Sequence, residues 1–272
     1  LRQVDGWNRG IPESWQLLWI DTLENQDPKA IDFGPQLPKE DYISLASTNS
    51  DYLEVYNAVM SGARGKLSRH QQLNGWVPPS NTIKDMGKGA GQLRALGRMA
   101  NLDKMGLVGD RIEAALTKIQ NSSGELDLLT SKLTGGKVTK ANEKPFVVVI
   151  SSLAGGTGAG IFLDVCDIAK VAAKKLESNV ISVLYSAEIF KNIEGPKGGF
   201  ELNTVAAISE LTNSYLRPKD RSAQDLFMGA VNVQEGVPRR HGPDYPFIIG
   251  LKDLNGVDLA SPNEAYRAVT ET

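Results

Sequence analysis

The sequence predicts an α/β fold in which a mostly parallel sheet is flanked by helices. The short β-branched run 146–150 is typical of a strand buried on both faces, and a glycine-rich loop and an apolar-periodic helix follow it directly. A second apolar run, 180–185, comes after that helix, as expected for a β-α-β unit with parallel strands. Further apolar runs at 15–20 and 247–251 supply additional strands.

The remaining elements are predicted from apolar periodicity and turn residues. They are a short strand at 42–45, helices at 51–60, 110–120 and 202–216, and a helix that begins at Ser261-Pro262-Asn263. Asp110 is expected to cap its helix, and the polar segment 124–144 is expected to be mobile. The polar stretches 23–80 and 217–245 are interpreted as surface excursions.

Composition and charge limit the possible function classes. The chain has 272 residues, of which 41% are hydrophobic and 23% are charged, as in globular proteins. Its net charge of -2 provides no basic field for nucleic acid, and no apolar run is long enough to predict a transmembrane helix. The basic clusters at 217–221 and 239–241 are interpreted as solvated loop charges. Cys166, the only cysteine, is expected to be a buried structural thiol and is compatible with a cytoplasmic location.

The loop at 151–160 has the composition of a phosphate-binding loop. Its glycines let backbone N–H groups approach an anion, and the N terminus of the following helix adds about half a positive charge. It is not a Walker A loop, because no Lys-Ser or Lys-Thr pair follows the glycines. It is not the dinucleotide-binding pattern G-x-G-x-x-G either, because Ile161 stands at the last glycine position.

A second glycine-rich stretch, Gly87-Lys88-Gly89-Ala90-Gly91, opens another predicted helix. Two glycine loops at the carboxyl edge of one sheet can enclose a polyphosphate from two sides. Arg98, in the helix that follows, is either a phosphate partner or a packing residue. Asp21 ends an early strand at this same edge, where it is either a ligand group or a simple strand terminator.

These two loops resemble those of the tubulin/FtsZ GTPase superfamily. The stretch 154–160 matches the signature G-G-G-T-G-[TSA]-G at all positions but the first, where Ala154 replaces glycine. The stretch 87–98 is similar to the FtsZ segment G-x-G-A-G-x-x-P-x-x-G-R, with Arg94 at the proline position. The resemblance implies a Rossmann-like nucleotide-binding domain in a divergent bacterial tubulin-like protein.

The resemblance also implies where a guanine nucleotide would bind. The two loops would contact the phosphates, with Thr157 as a hydroxyl donor. Glu194 would contact the ribose unless it is a solvated loop carboxylate, and Asn263 would contact the guanine unless it is a helix cap. Mg²⁺ would be held mainly by phosphate oxygens and water, whereas Asp164 and Asp167 are expected to face solvent. The implied nucleotide-binding residues are Gly87, Gly89, Ala90, Gly91, Ala154, Gly155, Gly156, Thr157, Gly158, Ala159, Gly160, Glu194 and Asn263. No catalytic or metal-ligating residue is predicted.

By the same resemblance, residues 1–272 form one GTP-binding domain, truncated at both ends. Its first strand would precede Leu1, and its catalytic acid loop and activation domain would follow Thr272. The implied function is the binding of GTP or GDP and head-to-tail self-assembly into cytoskeletal filaments. Hydrolysis would be completed by the acid loop of a neighbouring protomer.

Two other functions stay open at this point. The first is a nucleotide-regulated scaffold or interaction protein that has no GTPase activity. The second is a dinucleotide-dependent oxidoreductase in which Glu188 would bind the ribose, although the glycine spacing of the 151–160 loop argues against it.

Overall fold

A computed structural model describes residues 11–26, 37–46, 51–60, 77–81, 86, 89–138, 144–173, 176, 178–191, 198–216, 241–252, 255–259, 261 and 263–266. In chain order, the elements are β1 (Trp19–Asp21), β2 (Tyr42–Ser44), α1 (Tyr52–Met60), α2 (Arg94–Asn121), α3 (Ser123–Leu133), β3 (Val147–Ser152), α4 (Gly156–Ala172), β4 (Val180–Tyr185), α5 (Phe200–Leu216) and β5 (Tyr245–Ile249). Short 3-10 turns lie at Lys39–Asp41 and Ala187–Phe190. The predicted α/β class is confirmed.

The strands form two sheets in which every pairing is parallel. One sheet has the order β3-β4-β5, with Ile150 opposite Val183 and Val183 opposite Phe247. The other sheet pairs β1 with β2. The prediction that the strands before and after α4 in the sequence are parallel is therefore confirmed. The carboxyl ends of these strands, β3 and β4, lie side by side.

The main core lies between one face of the β3-β4-β5 sheet and the helices. Val147, Val149 and Val180 project from this face and pack with α2 and α4, where Met99 and Cys166 are fully buried. Burial raises the pKa of the Cys166 thiol, which keeps it protonated and unreactive. The expectation of a structural thiol is confirmed.

The opposite face of this sheet leaves several apolar side chains exposed among the described residues, which corrects the prediction that β3 is buried on both sides. Val148 is 50% exposed, Ile150 65% and Phe247 55%. Alternate residues of a strand point to opposite faces, so these side chains share the face that α4 does not cover. Because every residue of the run 146–150 is apolar, the sequence did not show that one face of this strand is buried and the other is exposed.

Between the two sheets lies an apolar slot of about 650 Å³. Residues 17–21 line it on one side and residues 146–152 on the other, and side chains of α2 and α4 complete its wall. Among the described residues, β1 pairs only with β2, and β3 pairs only with β4. Both strands that line the slot thus have an unpaired edge.

The helices differ from prediction in two places. The helix predicted at 110–120 is the second part of α2, so Asp110 is not a cap but an interior residue. The segment 124–144, predicted to be polar and mobile, contains most of α3, which buries Leu129. A single buried side chain gives a short helix too little apolar periodicity to be recognised. None of the described helices is both long and apolar enough to cross a membrane.

Candidate functional site

Two loops that are distant in sequence meet at the N terminus of α4. The α2 loop (residues 89–93) leads into α2, and the α4 loop (residues 152–156) connects β3 to α4. The Gly156 N–H donates a hydrogen bond to the Gly91 carbonyl oxygen over 2.7 Å. The two glycine-rich stretches that the sequence singled out are therefore in direct backbone contact.

This contact requires glycine on both sides. A Cβ on Gly156 would stand 2.7 Å from the Gly91 carbonyl oxygen and 2.8 Å from that of Ala90, closer than real Cβ atoms approach backbone. On the α2 loop, Gly89 has φ +81° and Gly91 has φ +54°, a left-handed backbone that residues with a side chain rarely adopt. The backbone contact between Gly91 and Gly156, called the loop seam below, is thus a consequence of the glycine pattern.

The helices that follow the loops also touch backbone to backbone. A Cβ on Gly97 in α2 would overlap the Gly156 carbonyl oxygen. A Cβ on Gly160 in α4 would overlap the Arg94 carbonyl oxygen. The close crossing of α2 and α4 therefore fixes the two loops relative to each other.

The residues at the end of β1 connect the α2 loop to the start of α4. The Thr22 hydroxyl accepts a hydrogen bond from the Ala90 N–H over 2.8 Å and lies 2.7 Å from the Thr157 hydroxyl. Asp21 Oδ1 accepts from the Thr157 hydroxyl over 3.2 Å and from the Thr22 N–H over 2.7 Å. Asp21 was singled out in the sequence as a candidate ligand group, whereas these contacts of Thr22 were not predicted.

Asn203 of α5 joins the α2 loop to the α4 loop. Its Nδ2 donates to the Gln92 carbonyl oxygen over 2.8 Å and to the Ala154 carbonyl oxygen over 2.9 Å. The Gly199 N–H in turn donates to Gln92 Oε1 over 2.8 Å. Three separate parts of the chain are therefore joined by hydrogen bonds around the loops.

The buried face of α5 is not simply its apolar face. Leu202 is 72% exposed and Val205 is 63% exposed, although both are apolar residues of the predicted helix 202–216. The buried face instead carries Asn203, Ala207 and Leu211, spaced four residues apart. That spacing, with a polar residue at its start, was the available signal for Asn203.

Most of the predicted nucleotide-binding residues lie in or beside the two loops. Ala154 and Ala159 are buried at 2% and 1% exposure, so their side chains pack inward. Gly87 and Glu194 lie outside the described residues. The other loop members belong to the seam or to the first turn of α4: Gly89, Ala90, Gly91, Gly155, Gly156, Thr157, Gly158 and Gly160.

Asn263 is exposed and lies on a helical turn, 263–266, whose Ala265 is fully buried. The Glu264 N–H donates to Ser261 Oγ over 3.3 Å, so Ser261 caps this turn and the capping alternative for Asn263 is wrong. The Tyr266 ring packs edge-on against Tyr185, the last residue of β4, with centroids 4.9 Å apart. The turn therefore lies at the same carboxyl edge of the sheet as the α4 loop.

Comparison with known proteins identifies the family. A family model described as tubulin-like matches residues 2–272. The chain belongs to the tubulin-like family. No curated protein and no solved structure gives a further match. Proteins of the tubulin-like family generally bind GTP or GDP and self-assemble. The family match leaves the oxidoreductase alternative without support. In this tubulin-like chain Glu188, the residue that would bind the ribose in that alternative, lies beside Gly250.

Behind the loops of this tubulin-like domain, α4 carries two buried carboxylates that were expected to face solvent. Asp164 and Asp167 are each 1% exposed. Arg98 donates from Nε and Nη2 to the two oxygens of Asp164, both over 3.1 Å. Asp167 contacts His241 Nδ1 and accepts from the Gly242 N–H over 2.8 Å. The expectation fails because a buried cation partner lies opposite each carboxylate.

These pairs also bear on the two alternatives for Arg98, and they correct the prediction for His241. Arg98 is engaged by Asp164, which supports its role as a packing residue. His241 was grouped with solvated loop charges, but its side chain is only 15% exposed, while Arg239 and Arg240 lie outside the described residues.

The His241–Asp167 contact predicts a pH-dependent stability. Burial alone lowers the pKa of His241, but the hydrogen bond and charge of Asp167, with Asp164 nearby, outweigh it and raise this pKa above 6.5, even against Arg98. A raised folded-state pKa contributes stability that is complete below pH 6.5 and is lost as the pH rises through the folded-state value. We expect the thermal midpoint of the wild type to fall over that range.

The variant to compare with the wild type is His241→Gln, because the glutamine side chain can keep a hydrogen bond to Asp167 but cannot titrate. Its thermal midpoint, followed by circular dichroism from pH 6 to 9, is expected to lack the wild-type decrease. Parallel curves for the two proteins would contradict the assignment.

Proposed function

We propose that this tubulin-like chain binds GTP or GDP where the α2 loop meets the α4 loop. The observation that carries the proposal is the direct contact of the two glycine loops at the N terminus of α4, through the Gly156 N–H and the Gly91 carbonyl. The N terminus of this 17-residue helix favours an anion, because its first backbone N–H groups have no partner within the helix.

The open side of the seam supports the same site. A Cβ built on Gly91 or on Gly155 would meet no atom within 4 Å, whereas one on Gly156 or Gly158 would strike backbone. Among the described residues, Gly91 and Gly155 therefore border free space, into which backbone groups can point, while Gly156 packs against the α2 loop and Gly158 packs against the end of β3. A polyphosphate fits this arrangement because its oxygens accept hydrogen bonds from several N–H groups at once.

The remaining contacts in the proposal follow the family. Gly87, Gly89, Ala90 and Gly91 would face the terminal phosphate, the stretch 154–160 would cradle the others, and Thr157 would offer a hydroxyl. Glu194 would contact the ribose, and Asn263, exposed at the carboxyl edge of the sheet, would contact the base. Mg²⁺ would be bound through phosphate oxygens and water.

We propose further that nucleotide binding supports head-to-tail assembly into filaments. The general self-assembly of tubulin-like proteins supports this step. Hydrolysis would require an acid loop from a neighbouring protomer. A nucleotide-regulated scaffold that binds GTP without turnover is the alternative.

The test begins with the nucleotide content of the purified protein. We expect chromatography after denaturation to release GTP or GDP, and calorimetry on nucleotide-free protein to show binding of GTP but not of ATP. Retention of ATP alone would contradict the proposed base specificity, and no binding of either nucleotide would contradict the site. Sedimentation and phosphate release with added GTP then separate a filament-forming GTPase from a scaffold, which would bind without either response.

A further inference from the structure

The hydrogen bonds at the end of β1 form a network that joins Thr22 to Ala90, Thr157 and Asp21. A backbone N–H only donates hydrogen bonds, so the Ala90 N–H must donate to Thr22 Oγ1. The hydroxyl oxygens of Thr22 and Thr157 lie 2.7 Å apart, and either hydroxyl can donate to the other. A carboxylate only accepts, and Asp21 Oδ1 lies 3.2 Å from the Thr157 hydroxyl and 3.4 Å from the Thr22 hydroxyl. In either orientation, the Ala90 N–H and both hydroxyl protons have an acceptor.

The side chain of Thr22 contacts both the α2 loop and the start of α4. Its hydroxyl holds the Ala90 amide of the α2 loop and the Thr157 hydroxyl at the start of α4. It is 1% exposed, so water cannot replace these contacts. The contact is independent of the backbone hydrogen bond between Gly156 and Gly91.

We propose that Thr22 is a positioning residue that couples the α2 loop to the start of α4 through its hydroxyl, and that Asp21 is the carboxylate acceptor at the end of this network. This inference rests on the proposed function, since its consequence for a ligand is the spacing of the two loops around a polyphosphate. Loss of the hydroxyl leaves the buried Ala90 N–H without an acceptor and removes one of the contacts that hold the α2 loop against α4.

The discriminating variants are Thr22→Val and Thr22→Ser. Valine keeps the shape of threonine and removes the hydroxyl, whereas serine keeps the hydroxyl and removes the methyl group. We expect Thr22→Val to raise the hydrogen-exchange rate of the Ala90 amide and to weaken GTP binding about tenfold, which corresponds to ~1.4 kcal/mol. Thr22→Ser is expected to restore both the Ala90 protection and the affinity.

The exchange measurement is made on nucleotide-free protein, so it does not depend on the proposed function. If the wild type binds no guanine nucleotide, the proposed function fails while the coupling is still tested by Ala90 exchange. Unchanged Ala90 exchange in Thr22→Val would overturn the inference. Exchange of the Ala90 amide in Thr22→Ser as fast as in Thr22→Val would also overturn it, because the retained hydroxyl would then not be enough to protect this amide. The amides of β4 provide the internal control for general unfolding.

Discussion

Gly156→Ala is expected to abolish measurable nucleotide binding. The new Cβ would stand 2.7 Å from the Gly91 carbonyl oxygen, 2.8 Å from that of Ala90 and 2.9 Å from the Leu93 nitrogen. All three are backbone atoms, so the α2 loop as a whole must move. A displacement of about 1 Å in a binding constellation can cost roughly 100-fold in function. We expect at least such a loss in GTP affinity by calorimetry, with about 1–3 kcal/mol lower unfolding free energy.

Gly106→Ala is the matched control for this prediction. Gly106 is an exposed residue in the interior of α2, and a Cβ there would meet nothing within 4 Å. Alanine at such a helix position stabilises by about 0.5–1 kcal/mol, and GTP affinity should be unchanged. Equal affinities for GTP in Gly156→Ala and Gly106→Ala would show that nucleotide binding does not depend on the loop seam.

Arg98→Ala is expected to cause the largest loss of folding stability. Asp164 is 1% exposed, and Arg98 satisfies both of its oxygens over 3.1 Å. Removing one partner of a buried ion pair leaves an uncompensated charge and typically costs about 3–5 kcal/mol. Urea denaturation followed by circular dichroism should show this decrease in the free energy of unfolding.

Two further variants test the cause of that decrease. Asp258→Ala breaks the Lys252–Asp258 pair, whose side chains are 67% and 78% exposed, and should change stability by less than about 0.5 kcal/mol. Replacing both buried partners, as Arg98→Met with Asp164→Leu, should recover most of the loss, because no charge remains buried. A double variant as unstable as Arg98→Ala would instead assign the loss to packing.

The sequence predicted the α/β class, the parallel β3–β4 pair and both glycine loops. These features are local: each depends on a run of apolar residues or on consecutive glycines. The sequence did not predict which side chains would bridge the loops. Thr22 and Asn203 are 135 and 46 residues from Thr157 along the chain, and only the folded sheet and α5 bring them to it.

The buried charges of α4 could not be predicted for a related reason. In the sequence, Asp164 and Asp167 are simply polar positions in an apolar helix, which usually mark a solvent-exposed side. Their partners, Arg98 and His241, come from α2 and from the residues before β5. A polar residue is buried where such a partner is available, and this depends on tertiary structure rather than on helical periodicity.

Among the residues that the structure describes, β1 and β3 each have one edge without a strand partner along the apolar slot, and this affects how association of this chain is to be interpreted. An open strand edge offers backbone donors and acceptors to any other strand, and the exposed apolar side chains on the sheet face beside β3 add apolar area. Copies at high concentration can therefore adhere through strand addition, a process indifferent to the γ-phosphate. Association that persists equally with GTP, with GDP and without nucleotide belongs to these edges. Only assembly that responds to the bound nucleotide is evidence for a filament.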